Sequence, residues 1–327
     1  MLRGKVVSSS IVAYGSYVPE KILTNSDLEA MVETSDEWII QRTGIKERRL
    51  CDDSQFTSDI AIKAVEDLQK RFPTALEGVD QIILATMTPD YYCPNTASLV
   101  QAHFKLENCG ASDINTACSG FVYALGMANG LIASGFHKKV LVIGADAMSK
   151  VVDYTDRTTC ILFGDGAGAF VLESSQTSDF LGSYKNTQGD LAENLYCTGL
   201  SKVISGGSNT SLLQNGKEVY KWVVKHVPKA IQTLLDSADV KMTDMDWFIP
   251  HSANMRILEA ISDRLDYPLD KLICTIEEYG NTSAGTIPLA FVKGIDNGSI
   301  KSGQKMLLHG FGGGLTQAGL VVQLNGL

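Results

Sequence analysis

The sequence predicts an α/β protein built from two related halves. Three observations carry this reading. Short apolar segments closed by small or turn-forming residues alternate with longer segments of helical periodicity. The same order of elements occurs twice along the chain. Matching residues stand a constant 166 positions apart: Asp80 and Asp246, Lys139 and Lys305, Gly144 and Gly310.

In chain order, Ser58–Phe72 reads as a helix, Gln81–Thr86 as a strand and Thr96–Phe104 as a second helix. Ala111–Asn115 reads as a strand that turns into the helix Ser119–Ser134, where Phe121, Leu125, Ala128 and Ile132 recur at the spacing of a helix packed in a core. Val140–Gly144 and Gly168–Glu173 follow as strands, and Gly164-Asp165-Gly166-Ala167-Gly168 reads as a turn before the latter. In the second half Trp247–His251 answers Gln81–Ala85, and Gln304–Gly310 answers Lys138–Gly144. A helix starting near Ser283 answers the one after Cys118, and each is followed by Ser-Gly, at Ser134-Gly135 and Ser302-Gly303. All α/β chains share some such order, but a common offset points to an internal duplication. The halves are placed at 1–174 and 175–327. Residues 174–216, rich in Gly, Ser, Asn and Thr, read as a long loop-rich connection.

Hydrophobic residues make up 44% of the 327 positions and charged residues 20%, which allows a large core and excludes a disordered chain. A net charge of −9 argues against a general nucleic-acid binder. The N-terminal segment has no signal-peptide core, and no apolar run reaches the length of a membrane span. The seven cysteines are scattered, odd in number and without a Cys-x-x-Cys pair. That argues against a disulfide framework and a zinc site, and for reduced thiols in a cytoplasmic protein.

Cys118, in Asn115-Thr116-Ala117-Cys118-Ser119-Gly120-Phe121, stands where a strand turns into a helix. A thiol at a helix start is expected to favour the thiolate, and Ser119-Gly120 leave room for a substrate. It is the candidate nucleophile; the other six cysteines read as small buried hydrophobes. Of the five histidines, His251 is singled out because it ends an apolar strand and precedes Ser252-Ala253-Asn254. His309 sits on a strand and reads as packed. Asn281, in Gly280-Asn281-Thr282-Ser283, opens the helix that answers the Cys118 helix, although Asn at that place also serves as a cap. Duplication would bring these residues together at the carboxyl ends of strands. A neutral His and an Asn supply donors for a thioester carbonyl gaining enolate charge. Phe311-Gly312-Gly313-Gly314 lets backbone approach a substrate closely.

These segments join Thr34-Ser35-Asp36-Glu37-Trp38-Ile39, Arg42-Thr43-Gly44-Ile45, Asp156-Arg157 and Phe163-Gly164-Asp165-Gly166. Together they resemble the β-ketoacyl-acyl carrier protein synthase III family of the thiolase superfamily, over essentially the whole chain. The resemblance implies a thiolase-like αβαβα layered fold and a homodimer. It implies an acyltransferase that starts fatty-acid synthesis without a cofactor or metal, with acyl-coenzyme A and acyl carrier protein as partners. Cys118 would take the acyl group, and His251 and Asn281 would support decarboxylation of malonyl-acyl carrier protein. The amides of Cys118 and Gly313 would form the oxyanion hole. Trp38 and Arg157 would sandwich the adenine of coenzyme A, with Arg42, Thr43, Gly216 and Asn254 as further contacts. Arg256 would meet the acidic carrier protein. Cys93 stands where some members carry a Phe that narrows the partner subunit's acyl pocket, so primers bulkier than acetyl are expected.

Other enzyme classes share parts of this pattern. A same-fold enzyme loading starter units in specialised metabolism shares these motifs. Hydroxymethylglutaryl-coenzyme A synthase needs a catalytic Glu where this chain has Asp90 or Tyr91. A papain-like protease lacks its flanking motif here. A non-catalytic acyl-binding module would leave Cys118 unacylated.

Overall fold

The computed structural model describes residues 8–199 and 211–326. Strand β1 (Ser8–Tyr17) is followed by a small hairpin of β2 (Lys21–Thr24) and β3 (Glu47–Leu50) that encloses helices α1 (Asn25–Glu29) and α2 (Asp36–Thr43). Helix α2 begins where Ser35 accepts the Trp38 amide and ends at Gly44, whose φ of 76° suits a residue without Cβ. Then come α3 (Thr57–Arg71), β4 (Gln81–Ala85), α4 (Thr96–Phe104), β5 (Gly110–Ile114), α5 (Gly120–Ala133), β6 (Lys139–Ala147), α6 (Arg157–Cys160) and β7 (Asp165–Ser175).

The second run is β8 (Phe180–Thr187), a hairpin of β9 (Leu195–Cys197) and β10 (Leu212–Gln214), α7 (Gly216–Ser237), β11 (Trp247–Pro250), α8 (Met255–Leu265), α9 (Ile276–Tyr279), α10 (Thr286–Asp296), β12 (Lys305–Gly312) and β13 (Thr316–Gln323).

The strand orders show the duplication. One sheet runs β1-β7-β6-β4-β5 and the other β8-β13-β12-β11. Gln81 faces Val140 in the first, and Trp247 faces Met306 in the second, each 166 positions later. Where β5 lies beside β4, the second half has a single parallel bridge between Phe248 and Leu272.

Helices α5 and α10 lie between the sheets. Phe121, Phe170 and Phe291 meet there, with ring centroids 5.0 and 4.7 Å apart. Helix α5 is apolar on nearly every side, as a helix covered on both faces must be. Helices α3 and α4 cover the outer face of the first sheet through Ile60, Val65 and Val100. Helices α7 and α8 cover the second through Trp222, Ile231 and Ile261. The result is a layered helix–sheet–helix–sheet–helix body, as expected. No helix among the described residues is long and apolar enough to cross a membrane.

Two local expectations are corrected. The glycine cluster before Gly168 is not a turn but lies within β7, because α10 presses on that strand: a Cβ on Gly168 would come 2.5 Å from Pro288 Cβ. Residues 174–216 are not simply a loop. They hold β8, β9 and β10, while 200–210 lie outside the described residues. Strand β8 is an edge strand with one side covered, so its outward polar residues make it look like loop in sequence.

Candidate active site

Cys118 lies in a short 3-10 turn, Ala117–Ser119, that opens α5. Asn115 Oδ1 accepts the Ala117 amide at 3.2 Å, and Ser119 Oγ donates to the Thr116 carbonyl at 2.7 Å. Helix α5 has no side-chain cap, and its first amide, that of Gly120, donates to the Ala117 carbonyl. The Cys118 side chain is buried. Burial pushes its thiol up to about 12; the Ser283 hydroxyl lowers it, Asp146 raises it further and its own amide lowers it slightly. This corrects the expectation of a thiolate: loss of water around the sulfur outweighs the helix start.

His251 extends β11 by one residue, its amide donating to the His309 carbonyl at 2.9 Å. Its ring packs edge-on to Phe311 with centroids 5.2 Å apart, and Nδ1 has no hydrogen-bond partner among the described residues. Burial lowers its pKa to about 3, so the imidazole is neutral at physiological pH. Asn281 is pinned by its backbone: its amide donates to Leu162 and its carbonyl accepts from Gly164, at 2.9 and 3.1 Å. Its Oδ1 accepts the Ser283 amide at 2.9 Å. Only the oxygen of the side-chain amide can meet that N–H, so the group left for a substrate is the Nδ2 donor.

Cys118, His251 and Asn281 line one cavity of about 970 Å³, together with Gly312 and Gly313. Gly312 is required by close approach. A Cβ there would come 2.9 Å from the Cys118 nitrogen and 3.1 Å from its Sγ.

The same cavity is lined by Trp38, Arg42, Thr43, Gly216, Asn254 and Arg256, all singled out from the sequence. Two guanidinium groups lie over the Trp38 ring, with Arg42 Cζ 5.7 Å and Arg157 Cζ 5.2 Å from its centroid. Arg157 also donates to the Glu33 carbonyl at 2.8 Å and is not part of the cavity wall, so a ring entering between it and Trp38 must push them apart. The Thr43 hydroxyl is engaged with Ile39 and Ile45 at the end of α2, which leaves its apolar surface for a ligand. Asn254 caps α8 by accepting the Arg256 amide at 2.9 Å.

Cys93 is exposed on the β4–α4 connection beside exposed Tyr91 and Tyr92, and does not line this cavity. Asp90 accepts from the Ser58 amide and hydroxyl at 2.8 and 2.6 Å, so it is committed to capping α3 rather than open to a substrate.

Sequence reasoning missed part of the wall. Met87, Leu195, Cys197, Leu212 and Tyr220 line the cavity, three of them from the segment taken for loop. The apolar Leu195-Tyr196-Cys197 and Leu212-Leu213 were the available signal. It also missed Asp146, fully buried at the end of β6 with no charged partner among its hydrogen bonds. Among the described residues no cluster of three metal-ligating side chains is present.

A family model described as 3-oxoacyl-[acyl-carrier-protein (ACP)] synthase III matches residues 112–189, and the model of its C-terminal part matches 235–324. A beta-ketoacyl-[acyl-carrier-protein] synthase III 2 of Halalkalibacterium halodurans is 52% identical over 322 residues, covering 97% of each chain. The protein so described from Bacillus subtilis is 49% identical over 320 residues, covering 96% of this chain and 98% of its own. The crystal structure of the Thermus thermophilus synthase III superposes with a TM-score of 0.93 at 43% identity, covering 97% of this chain and all of that one.

Proposed function

From the chain's membership of the 3-oxoacyl-acyl carrier protein synthase III family, we propose how its own residues divide the work of that family's reaction. The protein is an acyltransferase that condenses an acyl-coenzyme A primer with malonyl-acyl carrier protein to start fatty-acid synthesis. The observation that carries the residue roles is the meeting of Cys118, His251 and Asn281 in one cavity from distant points of the chain.

Cys118 Sγ attacks the thioester carbonyl of the primer. As the new thioester forms, the old C–S bond breaks and the thiol proton ends on the departing coenzyme A thiolate. The raised thiol pKa means that deprotonation accompanies attack rather than preceding it. The malonyl thioester then enters. Its carboxylate carbon leaves as carbon dioxide, and the electron pair of the broken C–C bond becomes a thioester enolate. Asn281 Nδ2 and an imidazole N–H of His251 donate to that oxygen. The carbanion attacks acyl-Cys118, and the oxyanion formed is met by the amides of Cys118 and Gly313. Collapse expels the Cys118 thiolate, which is reprotonated from solvent, and releases the β-ketoacyl-acyl carrier protein. Decarboxylation itself supplies the carbanion, so the reaction needs donors rather than a cofactor.

Trp38, Arg42, Thr43, Arg157, Gly216 and Asn254 are assigned to coenzyme A. Lining of the one cavity supports this for all but Arg157, whose support is its place over the Trp38 ring. Arg256 is assigned to the carrier protein. Its support is a run of exposed lysines at every fourth residue of α7, Lys217, Lys221, Lys225 and Lys229, on a chain of net charge −9. A homodimer is proposed along β5, whose outer edge pairs with no strand among the described residues and whose residues are all at least part-exposed. Cys93 would then face the partner's acyl pocket and admit primers bulkier than acetyl. The boundary between halves is placed at 174/175, near the short gap between β7 and β8. The enzyme is placed in the cytoplasm, where its free thiols stay reduced.

The test uses labelled acetyl-, isobutyryl- and hexanoyl-coenzyme A with wild type and Cys118→Ala. Label on wild type only, followed by condensation with malonyl-acyl carrier protein, is expected. Equal label on Cys118→Ala overturns the covalent role, and strict preference for acetyl overturns the pocket reading.

A further inference from the structure

Asp146 has a counterpart. Since 146 + 166 = 312, it corresponds to Gly312, just as Ala284 corresponds to Cys118 (118 + 166) and Asn281 to Asn115 (115 + 166). The geometry repeats with the numbering. Asn115 Oδ1 accepts the Ala117 amide, and Asn281 Oδ1 accepts the Ser283 amide. Ala117 and Ser283 both adopt left-handed backbone, with φ of 47° and 50°. A Cβ on Gly310 would come 3.2 Å from the Cys118 carbonyl oxygen, and one on Gly144 would come 2.5 Å from that of Ala284.

At the next such position the halves part. Gly312 packs against the Cys118 amide and has no side chain to accept from it, and both residues line the cavity. Asp146 instead carries a side chain, and its Oδ2 accepts the Ala284 amide at 3.0 Å. Its Oδ1 accepts the Thr86 hydroxyl at 2.8 Å, the Met87 amide at 2.7 Å, the Thr88 amide at 3.2 Å and the Thr88 hydroxyl at 3.1 Å. Every neighbour donates, so the hydrogen bonds favour the acceptor-only carboxylate and oppose the burial that raises its pKa.

We propose that Asp146 is an internal oxyanion: its carboxylate takes, at Ala284, the place that a substrate oxyanion takes at Cys118, and so positions Asn281 for decarboxylation. The Ala284 amide follows Ser283 directly. A left-handed non-glycine residue keeps its conformation only where the surroundings over-determine it. Asp146 grips that turn from one side, while the Ser283 amide holds Asn281 Oδ1 on the other. Release of the Ala284 amide lets the turn relax and swings the Asn281 Nδ2 donor off its target. It also follows that the second half offers no acylation site of its own: position 284 lacks the thiol, and its amide is occupied. Asp146 is thus a positioning residue, and its role rests on the function assigned to Asn281 above.

Asp146→Asn is the informative variant. Its single oxygen can stay with Thr86, Met87 and Thr88, but its NH2 then faces the Ala284 N–H, donor against donor. The holoprotein is assayed in two half-reactions: acyl transfer from labelled acyl-coenzyme A to Cys118, and carbon dioxide release from malonyl-acyl carrier protein. Acyl transfer is expected to stay close to wild type while decarboxylation kcat falls on the order of 100-fold with KM little changed, the loss expected of a misplaced donor. In an Asn281→Ala background, Asp146→Asn should add nothing further to the decarboxylation defect. Equal loss in both half-reactions, or no loss in either, overturns the proposal. If Asp146→Asn does not fold, Thr86→Val removes one donor, keeps the carboxylate and should shift the same half-reaction selectively; parallel loss again overturns it. A wild type inert in both half-reactions would overturn the assigned function itself, and Asp146 with it.

Discussion

Asn281 Oδ1 accepts the Ser283 amide at 2.9 Å, and this one bond decides which end of the Asn281 side chain a substrate meets. It turns a residue type common in turns and caps into an oriented hydrogen-bond donor. The equivalent bond from Ala117 to Asn115 shows that the turn is a property of the duplicated unit. What differs between the halves is what faces the turn.

Asn281→Asp separates the turn from the donor. Aspartate keeps an oxygen for the Ser283 amide but presents a second oxygen where Nδ2 stood. Acylation of Cys118 is expected to persist, while malonyl decarboxylation falls by about 100-fold or more. Carbon dioxide release measured beside acyl labelling checks this; unimpaired decarboxylation would remove Asn281 from its role.

The free enzyme should alkylate slowly near neutral pH. With burial holding the Cys118 thiol up to about 12, the thiolate fraction keeps growing through the accessible alkaline range. Inactivation by iodoacetamide should therefore rise steadily from about pH 7 to about pH 10. A plateau within that range would mean that the helix start prevails over desolvation.

His309 is buried against Gln317 Oε1 at 3.2 Å, and burial lowers its pKa to about 4. The unfolded chain binds a proton at that site near pH 6.5, whereas the native state does not until about pH 4. Its contribution is therefore intact above pH 6.5 and is lost as pH falls toward 4, at up to about 1.4 kcal/mol per pH unit. Buried Asp146, Asp165 and Asp179, whose pKa values burial raises, work in the opposite sense over the acid range. The difference between wild type and His309→Gln isolates the histidine. Urea melts at pH 7 and pH 5 should show wild type losing about 2 kcal/mol more than the variant over that interval. An identical loss in both would refute it.

Gly312→Ala probes the packing behind the nucleophile. The added methyl would stand 2.9 Å from the Cys118 nitrogen and Cβ. Either β12 or the Cys118 turn must shift, and a displacement near 1 Å at the reacting atom costs roughly 100-fold in rate. Acyl transfer should fall by that order while the thermal midpoint moves little. Wild-type acylation rates would show that the turn can yield without cost.

The sequence by itself determined the α/β alternation, the duplication and the short list of reactive residues. These features are local or periodic. Apolar runs closed by small residues mark strands such as β4 and β6. Helical spacing marks α5, and a constant offset marks the repeat. Cys118, His251 and Asn281 stand out because each lies where an element ends or begins.

Only the tertiary structure decided how those residues behave. The Cys118 pKa depends on how completely the second half covers the sulfur, which no local pattern encodes. Strand β8 resembles loop because pairing with β13, not its own composition, makes it a strand. The glycines of β7 announce a turn in sequence and serve instead as the seat for α10. Asp146 looks like an ordinary strand-end carboxylate until Ala284, 138 residues away, brings it the amide that gives it a task. For β8 the deciding partner lies far along the same half; for Cys118, the β7 glycines and Asp146 it comes from the other half, and such burial and hydrogen bonding exist only once the distant segments have folded together.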